Sequence, residues 1–179
     1  MFKKLKLSNE HLAFSDVARL FEERKEALQL YCARFFFGCS ENEMREHLAH
    51  HLQEAEYDAS LTLLAAIEAA FRLDFDHRYE MKLKDQWSKK VRQMAKDVGT
   101  RPHRDIPIIQ LIHLLEMVFV PKHIITLLIK YFKYRNWLAH GRYLCLEDLE
   151  LGKNKPSKPP FLDIYQLAKT IEKSFTHNR

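Results

Sequence analysis

The sequence predicts an all-α fold, a single up-and-down-like bundle of six to seven helices that takes in residues 1–179 as one domain. Only four glycines and six prolines occur in 179 residues, which favours long helices over a turn-rich β architecture. Apolar residues recur at helical spacing, and no strand-like alternation persists beyond a few positions. A chain of this length is long enough for one well-packed core and short for two.

The first half of the chain is predicted to hold three helices. The first covers about residues 8–37 and ends at Gly38, which suits a position where φ turns positive. The second begins at Ser40, because Glu43 three residues later completes a capping box. The third covers about residues 57–75 and is apolar almost all round, which predicts a central position in the bundle.

Glycines and prolines delimit the helices of the second half. The helical pattern after residue 75 continues to about Val98, and a Gly-Thr-Arg-Pro sequence then breaks it. Pro121 suits the first position of a later helix that runs to Gly141. The remaining predicted elements are a buried helix at 108–120, a proline-rich loop at about 151–160 and a last helix at 161–175.

The targeting and redox signals predict a cytoplasmic protein. No apolar stretch is long enough for a signal peptide or for crossing a bilayer. Cys32, Cys39 and Cys145 are odd in number and lack paired metal-type spacing, which predicts free buried thiols in a reducing compartment.

The sequence predicts no metal site and no cofactor. His47, His50 and His51 have a spacing that could hold zinc, but no cysteine or acidic ligand accompanies them at a recognised spacing. We therefore expect a solvated helix face there. No glycine-rich phosphate loop or His-Glu-x-x-His motif is present.

The positive charge is concentrated in one segment. The whole chain carries +5, whereas residues 78–104 hold nine Lys or Arg and three acidic residues, which leaves −1 for the rest. Such a segment favours a polyanionic partner such as RNA, with a solvated helix face as the alternative. Trp87 lies within it and either stacks on a base or anchors the helix in the core. The candidate RNA contacts are Lys84, Lys89, Lys90 and Arg92, together with Arg142 further along the chain.

Arg135, Asn136 and His140 form the most informative motif. They continue the apolar stripes of the predicted helix after Pro121, so we expect them to face other protein. Polar groups placed there need partners, since burying them unpaired costs about 2–5 kcal/mol.

The residue types of the motif suit phosphate chemistry. Asn136 and His140 are four apart and share a helix face, so the amide can orient the imidazole. The planar guanidinium of Arg135 can grip a phosphate through two hydrogen bonds. His140 lies in the last helical turn, where the helix dipole favours the protonated imidazole of a general acid.

Arg135, Asn136, three intervening residues and His140 resemble the Arg-polar-x3-His signature of HEPN domains. The all-α setting and the late helix closed by a glycine are also similar to that family. The resemblance implies a metal-independent endoribonuclease in which two protomers line one cleft, with a role as a toxin or in antiviral defence. It also implies a homodimer, with an antitoxin or a nucleotidyltransferase as a candidate protein partner.

The resemblance further implies a role for each motif residue. The RNA 2′-hydroxyl attacks the adjacent phosphorus while His140 handles the proton, Arg135 stabilises the transition-state charge and Asn136 positions groups. Some family toxins carry a tyrosine two residues after the histidine that a nucleotidyltransferase modifies with AMP. Here that position is Arg142 and the tyrosine follows as Tyr143, so regulation by this route is not expected.

Glu68 is a carboxylate on an otherwise apolar stripe and therefore needs a partner. The family often carries an acidic residue on an earlier helix that approaches the motif, so Glu68 could hold Arg135. A local ion pair with Arg72, one turn on, is the alternative. Arg72 could also join Asp74 and Arg78 in a structural polar cluster.

Two other functions compete with the ribonuclease. One is a non-catalytic HEPN module that binds a nucleotide, RNA or a protein. The other is a helical protein-interaction domain in which the three motif residues satisfy one another in a core. The apolar residues around the motif, Tyr131, Phe132 and Leu138, suit either a dimer contact or packing within one bundle.

Overall fold

The computed structural model describes residues 12–35, 38–82, 84–98, 106–115, 120–142 and 161–176. These residues form six helices and no strand, which confirms the all-α prediction. The helices are α1 Phe14–Phe35, α2 Glu41–Met81, α3 Gln86–Val98, α4 Ile108–Leu114, α5 Lys122–Ala139 and α6 Phe161–Thr176. The predicted loop at 151–160 lies outside the described residues.

The long helix α2 is the centre of the bundle and contacts α1, α3, α5 and α6. Its 41 residues span about 60 Å at the usual rise per residue. Ser40 and Glu43 form the predicted capping box, with the Ser40 hydroxyl accepting from the Glu43 N–H and the Glu43 carboxylate accepting from the Ser40 N–H.

The predicted division of this segment into two helices is wrong. The apolar pattern widens near Ala55, but no glycine or proline interrupts the backbone there, and the helix continues. The change of pattern marks the point where α2 enters the core, because its buried residues all lie from Ala55 onward. The change in the apolar pattern therefore indicates a change in the surroundings of α2 and not the end of a helix.

The predicted uninterrupted helical stretch to Val98 is also wrong. Lys82 ends α2 in the left-handed conformation with φ of 50°. Asp85 then precedes α3, and its Oδ1 accepts a hydrogen bond from the Ser88 N–H at 2.9 Å. A side chain that accepts from a free N–H of the first helical turn is a typical N-cap. The sequence feature that marks this break is Asp85, an N-cap residue type, three residues before Ser88, from whose N–H it accepts a hydrogen bond.

Arg78 and Trp87 join α2 to α3 in a buried cluster. Arg78 donates to Asp74 at 2.7 Å, and its guanidinium carbon lies 4.2 Å from the Trp87 ring centroid. Trp87 is buried and packs edge-on against Phe75. The structure thus confirms Trp87 as a core anchor, and the polar cluster contains Asp74 and Arg78.

The later helices largely match their predicted positions. Pro121 is the N-cap of α5 and not its first helical residue, because its carbonyl accepts from the N–H groups of Ile124 and Ile125. The last helix matches its prediction to within one residue. Residues 116–119 of the predicted buried helix lie outside the described residues. The core residues that connect these helices to α2 include Phe71, Leu111, Ile112, Leu128, Phe132 and Ile164.

Two further predictions concern the thiols and the membrane. Cys32 is buried as predicted, whereas Cys39 is exposed because it lies in the turn between Gly38 and Ser40. Cys145 lies outside the described residues. No helix among the described residues combines the length and apolarity that crossing a bilayer requires.

Candidate active site at the Arg135–His140 motif

The carboxylate of Glu68 on α2 lies between two guanidinium groups. Its Oε1 accepts from Arg72 Nε at 2.9 Å and from Arg72 Nη2 at 2.7 Å. Its Oε2 lies 3.3 Å from Nη2 of Arg135 on α5. Both partners that the sequence offered for Glu68 are therefore present together. One negative charge is shared by two positive charges, which leaves a net charge of +1 in this group.

Arg135 is partly buried and loosely held. Its side chain is 33% exposed, and its Nη1 donates to Asn136 Oδ1 at a long 3.4 Å. Its Nε is buried and has no hydrogen-bond partner among the described residues. Compared with Arg72, whose fork grips Glu68 closely, Arg135 has the weaker set of contacts. It is therefore the guanidinium better able to turn towards a bound anion.

Arg72 has a structural position behind Glu68. Besides the two bonds to that carboxylate, its Nη1 donates to the backbone carbonyl of Ile106 at 3.3 Å. Ile106 is buried just before α4. Arg72 thus ties α2 to the chain that enters α4 and fixes the carboxylate that faces Arg135. Arg72 pairs with Glu68, whereas Arg78 pairs with Asp74.

Asn136 and His140 are exposed on the single chain, so no part of this chain provides the protein surface that the prediction has them face. Phe132 lies on the same stripe as Asn136 and is buried. The residues that cover this face of α5 therefore end within the one helical turn between Phe132 and Asn136. No described residue forms a hydrogen bond with the His140 ring, so the predicted orienting bond from Asn136 is absent here. An exposed imidazole at the end of a helix is accessible to a ligand or to a second protein surface.

The backbone holds His140 at the end of α5. His140 is the C-cap, and its N–H donates to the Asn136 carbonyl at 3.0 Å. Gly141 has φ of 82° and donates to Leu138, while the Arg142 N–H donates to the Trp137 carbonyl at 3.1 Å. This pair of bonds is a Schellman motif, which satisfies the last carbonyls of the helix.

Arg142 is bound to α2 through its side chain. Its Nη1 donates to Glu54 at 2.7 Å, and its guanidinium carbon lies 4.8 Å from the Tyr57 ring centroid. The hydrogen bond with Glu54 raises the pKa of the guanidinium above its usual value. The sequence assigned Arg142 to RNA binding, and the structure gives its charge a partner within the chain. Neither Glu54 nor Tyr57 was identified from the sequence, since Glu54 lies 88 positions away.

Aromatic side chains anchor the motif helix to α2. The Trp137 ring stacks on Tyr134 with centroids 5.7 Å apart and meets Tyr57 edge-on at 6.0 Å. Tyr134 is almost fully buried, and burial raises the pKa of its hydroxyl. The contact between Trp137 and Tyr57 attaches α5 to α2 one helical turn before His140.

The predicted RNA contacts on and before α3 are mostly on the surface. Lys84, Lys89 and Lys90 are exposed, whereas Arg92 is partly buried and its Nη1 has no hydrogen-bond partner among the described residues. Among the described residues, no ion pair joins any of these four side chains to the motif, and the amphipathic helix α3 packs on α2 and α4. The structure therefore does not join this surface to Arg135 by direct bonds.

The apolar residues around the motif belong mainly to the core. Tyr131 and Phe132 are buried within the chain, and Leu138 packs against the same core. Of the two alternatives for these residues, packing within one bundle is confirmed for Tyr131 and Phe132. They offer no exposed apolar surface for a dimer contact.

The described residues contain no group of three or more His, Cys, Asp or Glu side chains placed to hold a metal ion. Among known proteins, no family model, no curated protein and no solved structure matches the chain.

Proposed function

We propose that the chain is a HEPN-type endoribonuclease that cleaves RNA without a metal ion, with Arg135 and His140 as its catalytic residues. The observation that carries the proposal is the contrast between these two side chains. Arg135 is held by a carboxylate from another helix, and His140 is presented to solvent at a fixed helix end. An accessible imidazole can transfer a proton and a positioned guanidinium can stabilise negative charge, and both help phosphodiester cleavage without a metal ion.

The proposed reaction is an internal transesterification. The RNA 2′-hydroxyl loses its proton and attacks the adjacent phosphorus, and the bond from phosphorus to the 5′-oxygen breaks. The leaving oxygen takes up a proton, so the products are a 2′,3′-cyclic phosphate and a 5′-hydroxyl. His140 handles the proton, and Arg135 stabilises the charge that builds up on the phosphoryl oxygens. Asn136, whose Oδ1 already meets Arg135 at 3.4 Å, positions that guanidinium.

The two polar contacts of Arg135 are long for a charged group. Its contact with Glu68 spans 3.3 Å and its contact with Asn136 spans 3.4 Å, both longer than the 2.7–2.9 Å of a strong charge-assisted hydrogen bond. A phosphate can therefore draw the guanidinium away at low cost. Arg72 stays on Glu68 at that moment and prevents the carboxylate from being left unpaired.

The active species in this proposal is a homodimer. Cyclisation needs an acid and a base at once, and each chain contributes one His140. A two-fold axis beside the exposed end of α5 would bring two imidazoles and two guanidiniums into one cleft. Since Tyr131 and Phe132 are buried in the chain, the contact would use the polar end of α5 around Asn136.

The test is cleavage of labelled single-stranded RNA in excess EDTA by the wild type and by the folded His140→Ala variant. The proposal expects cleavage by the wild type alone. Cleavage by both proteins at similar rates would exclude His140 as a catalytic residue.

A non-catalytic RNA- or nucleotide-binding module is the second candidate. The exposed side chains of Lys84, Lys89 and Lys90 favour it, because they can bind phosphate groups without the motif. The same experiment separates the two functions. RNA that the wild type binds but leaves intact would identify a binding module.

A further inference from the structure

We propose that Arg142 is a positioning residue that clamps the C-terminal turn of α5 to α2 and thereby fixes His140. This inference rests on the proposed ribonuclease function and adds a residue to its site. It also reassigns a side chain that the sequence placed among the RNA contacts.

The first support is the backbone of Arg142. Its φ is 59°, in the left-handed region that residues with a side chain rarely adopt, and it directly follows Gly141 with φ of 82°. Two successive residues in this region persist only where the surroundings hold them. The Arg142 N–H bond to the Trp137 carbonyl, at 3.1 Å, provides one such restraint.

The second support is the side chain, which spans from the helix end to α2. It reaches Glu54 at 2.7 Å and lies over the ring of Tyr57 at 4.8 Å. Tyr57 is itself buried and meets Trp137 edge-on. The turn is therefore bound to α2 at two points, one on each side of His140 in sequence.

The third support is that the His140 ring is not held by hydrogen bonds from the described residues. No described residue forms a hydrogen bond with its ring, so the position of the imidazole depends on the backbone that carries it. That backbone is fixed by the helix before it and by Arg142 two residues after it. A displacement of about 1 Å at a catalytic group can reduce the rate by about 100-fold, so an anchor for this turn has a catalytic consequence.

The experiment compares Arg142→Gly, Glu54→Gln and the double variant. Glycine accepts the left-handed φ, so Arg142→Gly removes the side chain without straining the turn. Glu54→Gln removes the ion pair with little change of shape. The matched control is Glu23→Gln, which breaks an exposed ion pair with Arg19 of similar length, 2.8 Å, on α1.

The clamp predicts a fall in kcat of about 10-fold or more in each single variant, with KM within about two-fold of wild type. The double variant should be no slower than the slower single variant, because both changes remove one interaction. Arg142→Lys, which keeps the charge, should regain part of the lost kcat. Glu23→Gln should match the wild type.

A phosphate-binding role for Arg142 predicts the opposite pattern. KM would rise in Arg142→Gly with kcat unchanged, and Glu54→Gln would lower KM because it frees the guanidinium. That result would overturn the clamp. If Arg142→Gly fails to give the wild-type helical circular dichroism, the milder Glu54→Gln variant decides between the two patterns.

A second readout does not depend on RNA cleavage. The ring resonance of His140 in a carbon–proton NMR spectrum, assigned by its loss in His140→Ala, should shift or broaden in Arg142→Gly and Glu54→Gln but not in Glu23→Gln. An unchanged resonance in both variants would overturn the clamp even for an active enzyme. If the wild type does not cleave RNA, the proposed function fails while this measurement still decides the role of Arg142.

Discussion

Arg135 on α5 lies 3.3 Å from the Oε2 of Glu68 on α2, while the other oxygen of the same carboxylate binds Arg72. The motif arginine is therefore positioned by a residue 67 places earlier in the chain, and Arg72 prevents that residue from pairing with Arg135 alone. A carboxylate shared in this way orients Arg135 without removing all of its positive charge.

Substitution of the motif residues should reduce RNA cleavage without preventing folding. We expect Arg135→Ala and His140→Ala each to reduce RNA cleavage by about 100-fold or more, the usual scale for a charge-stabilising group or a general acid. Folding should survive, because His140 is exposed and Arg72 still pairs with Glu68 after Arg135 is removed. Cleavage kinetics with helical circular dichroism would check both statements. A folded His140→Ala protein with near-wild-type activity would contradict the assignment.

Glu68→Gln should weaken both stability and activity. It removes the negative charge from two guanidiniums that are only 25% and 33% exposed. We expect a loss of about 1–3 kcal/mol in the free energy of unfolding, the scale for breaking hydrogen bonds to charged groups. Urea unfolding would measure it, with Glu23→Gln as an exposed control expected to lose less than about 1 kcal/mol. Equal losses of unfolding free energy in the two variants would show that the Glu68 ion pairs stabilise the fold no more than an exposed ion pair does.

Asp85 should make stability depend on pH at the acidic end. Burial raises the pKa of this carboxyl, but hydrogen bonds from Ser88 and the charge of Arg78 outweigh it, so the pKa is below 3.8 in the folded chain. The stabilisation is therefore complete above pH 3.8 and is lost as the pH falls through the lowered pKa.

Asp85→Asn tests this dependence, because asparagine still caps α3 but cannot ionise. We expect the variant to be less stable than wild type at neutral pH and the difference to shrink as the pH falls below 3.8. Urea unfolding across that range would measure it. A constant difference at all pH values would contradict the role of the charge.

Charge reversal at Lys84, Lys89 and Lys90 should weaken RNA binding. These residues are exposed, so the change should not disturb the core. Each lost phosphate contact should lower the slope of log affinity against log salt by about 0.7 for single-stranded RNA. Arg92 stays unchanged in this variant, because its Nη1 is buried. An exposed lysine elsewhere, Lys122, provides the control, and an unchanged slope in the triple variant would show that this face is only solvated.

The proposed homodimer should form an active site that takes residues from both chains. Light scattering should give twice the 21.4 kDa mass of the chain near neutral pH. Mixing the inactive Arg135→Ala and His140→Ala proteins should restore some activity if one cleft takes residues from both chains. A monomer with full activity would contradict the composite site.

The sequence predicted features that depend on neighbours along the chain. The capping box of Ser40 and Glu43 and the glycine that follows α5 are of this kind, since each is set within one helical turn. The pairing of Glu68 with both Arg72 and Arg135 was anticipated only as two alternatives, because the sequence could not tell how α2 and α5 pack.

The sequence did not reveal features that depend on distant parts of the chain. It did not reveal that Asn136 and His140 are exposed on the single chain, because an apolar stripe does not show where the residues that cover it end. It did not reveal that Arg142 pairs with Glu54, because Glu54 is distant in the chain. The continuation of α2 through residue 56 was missed for a related reason, since burial on more sides looks like a new helix.

The most direct test of the proposed ribonuclease activity is the identity of the product ends. A short RNA with one cleavable linkage would be incubated with the wild type in EDTA, and the fragments would be analysed by mass spectrometry. A parallel substrate would carry a 2′-deoxy residue at that linkage. We expect a 2′,3′-cyclic phosphate and a 5′-hydroxyl from the first substrate and no cleavage of the second. Cleavage of the deoxy substrate, or fragments with a 5′-phosphate, would contradict it.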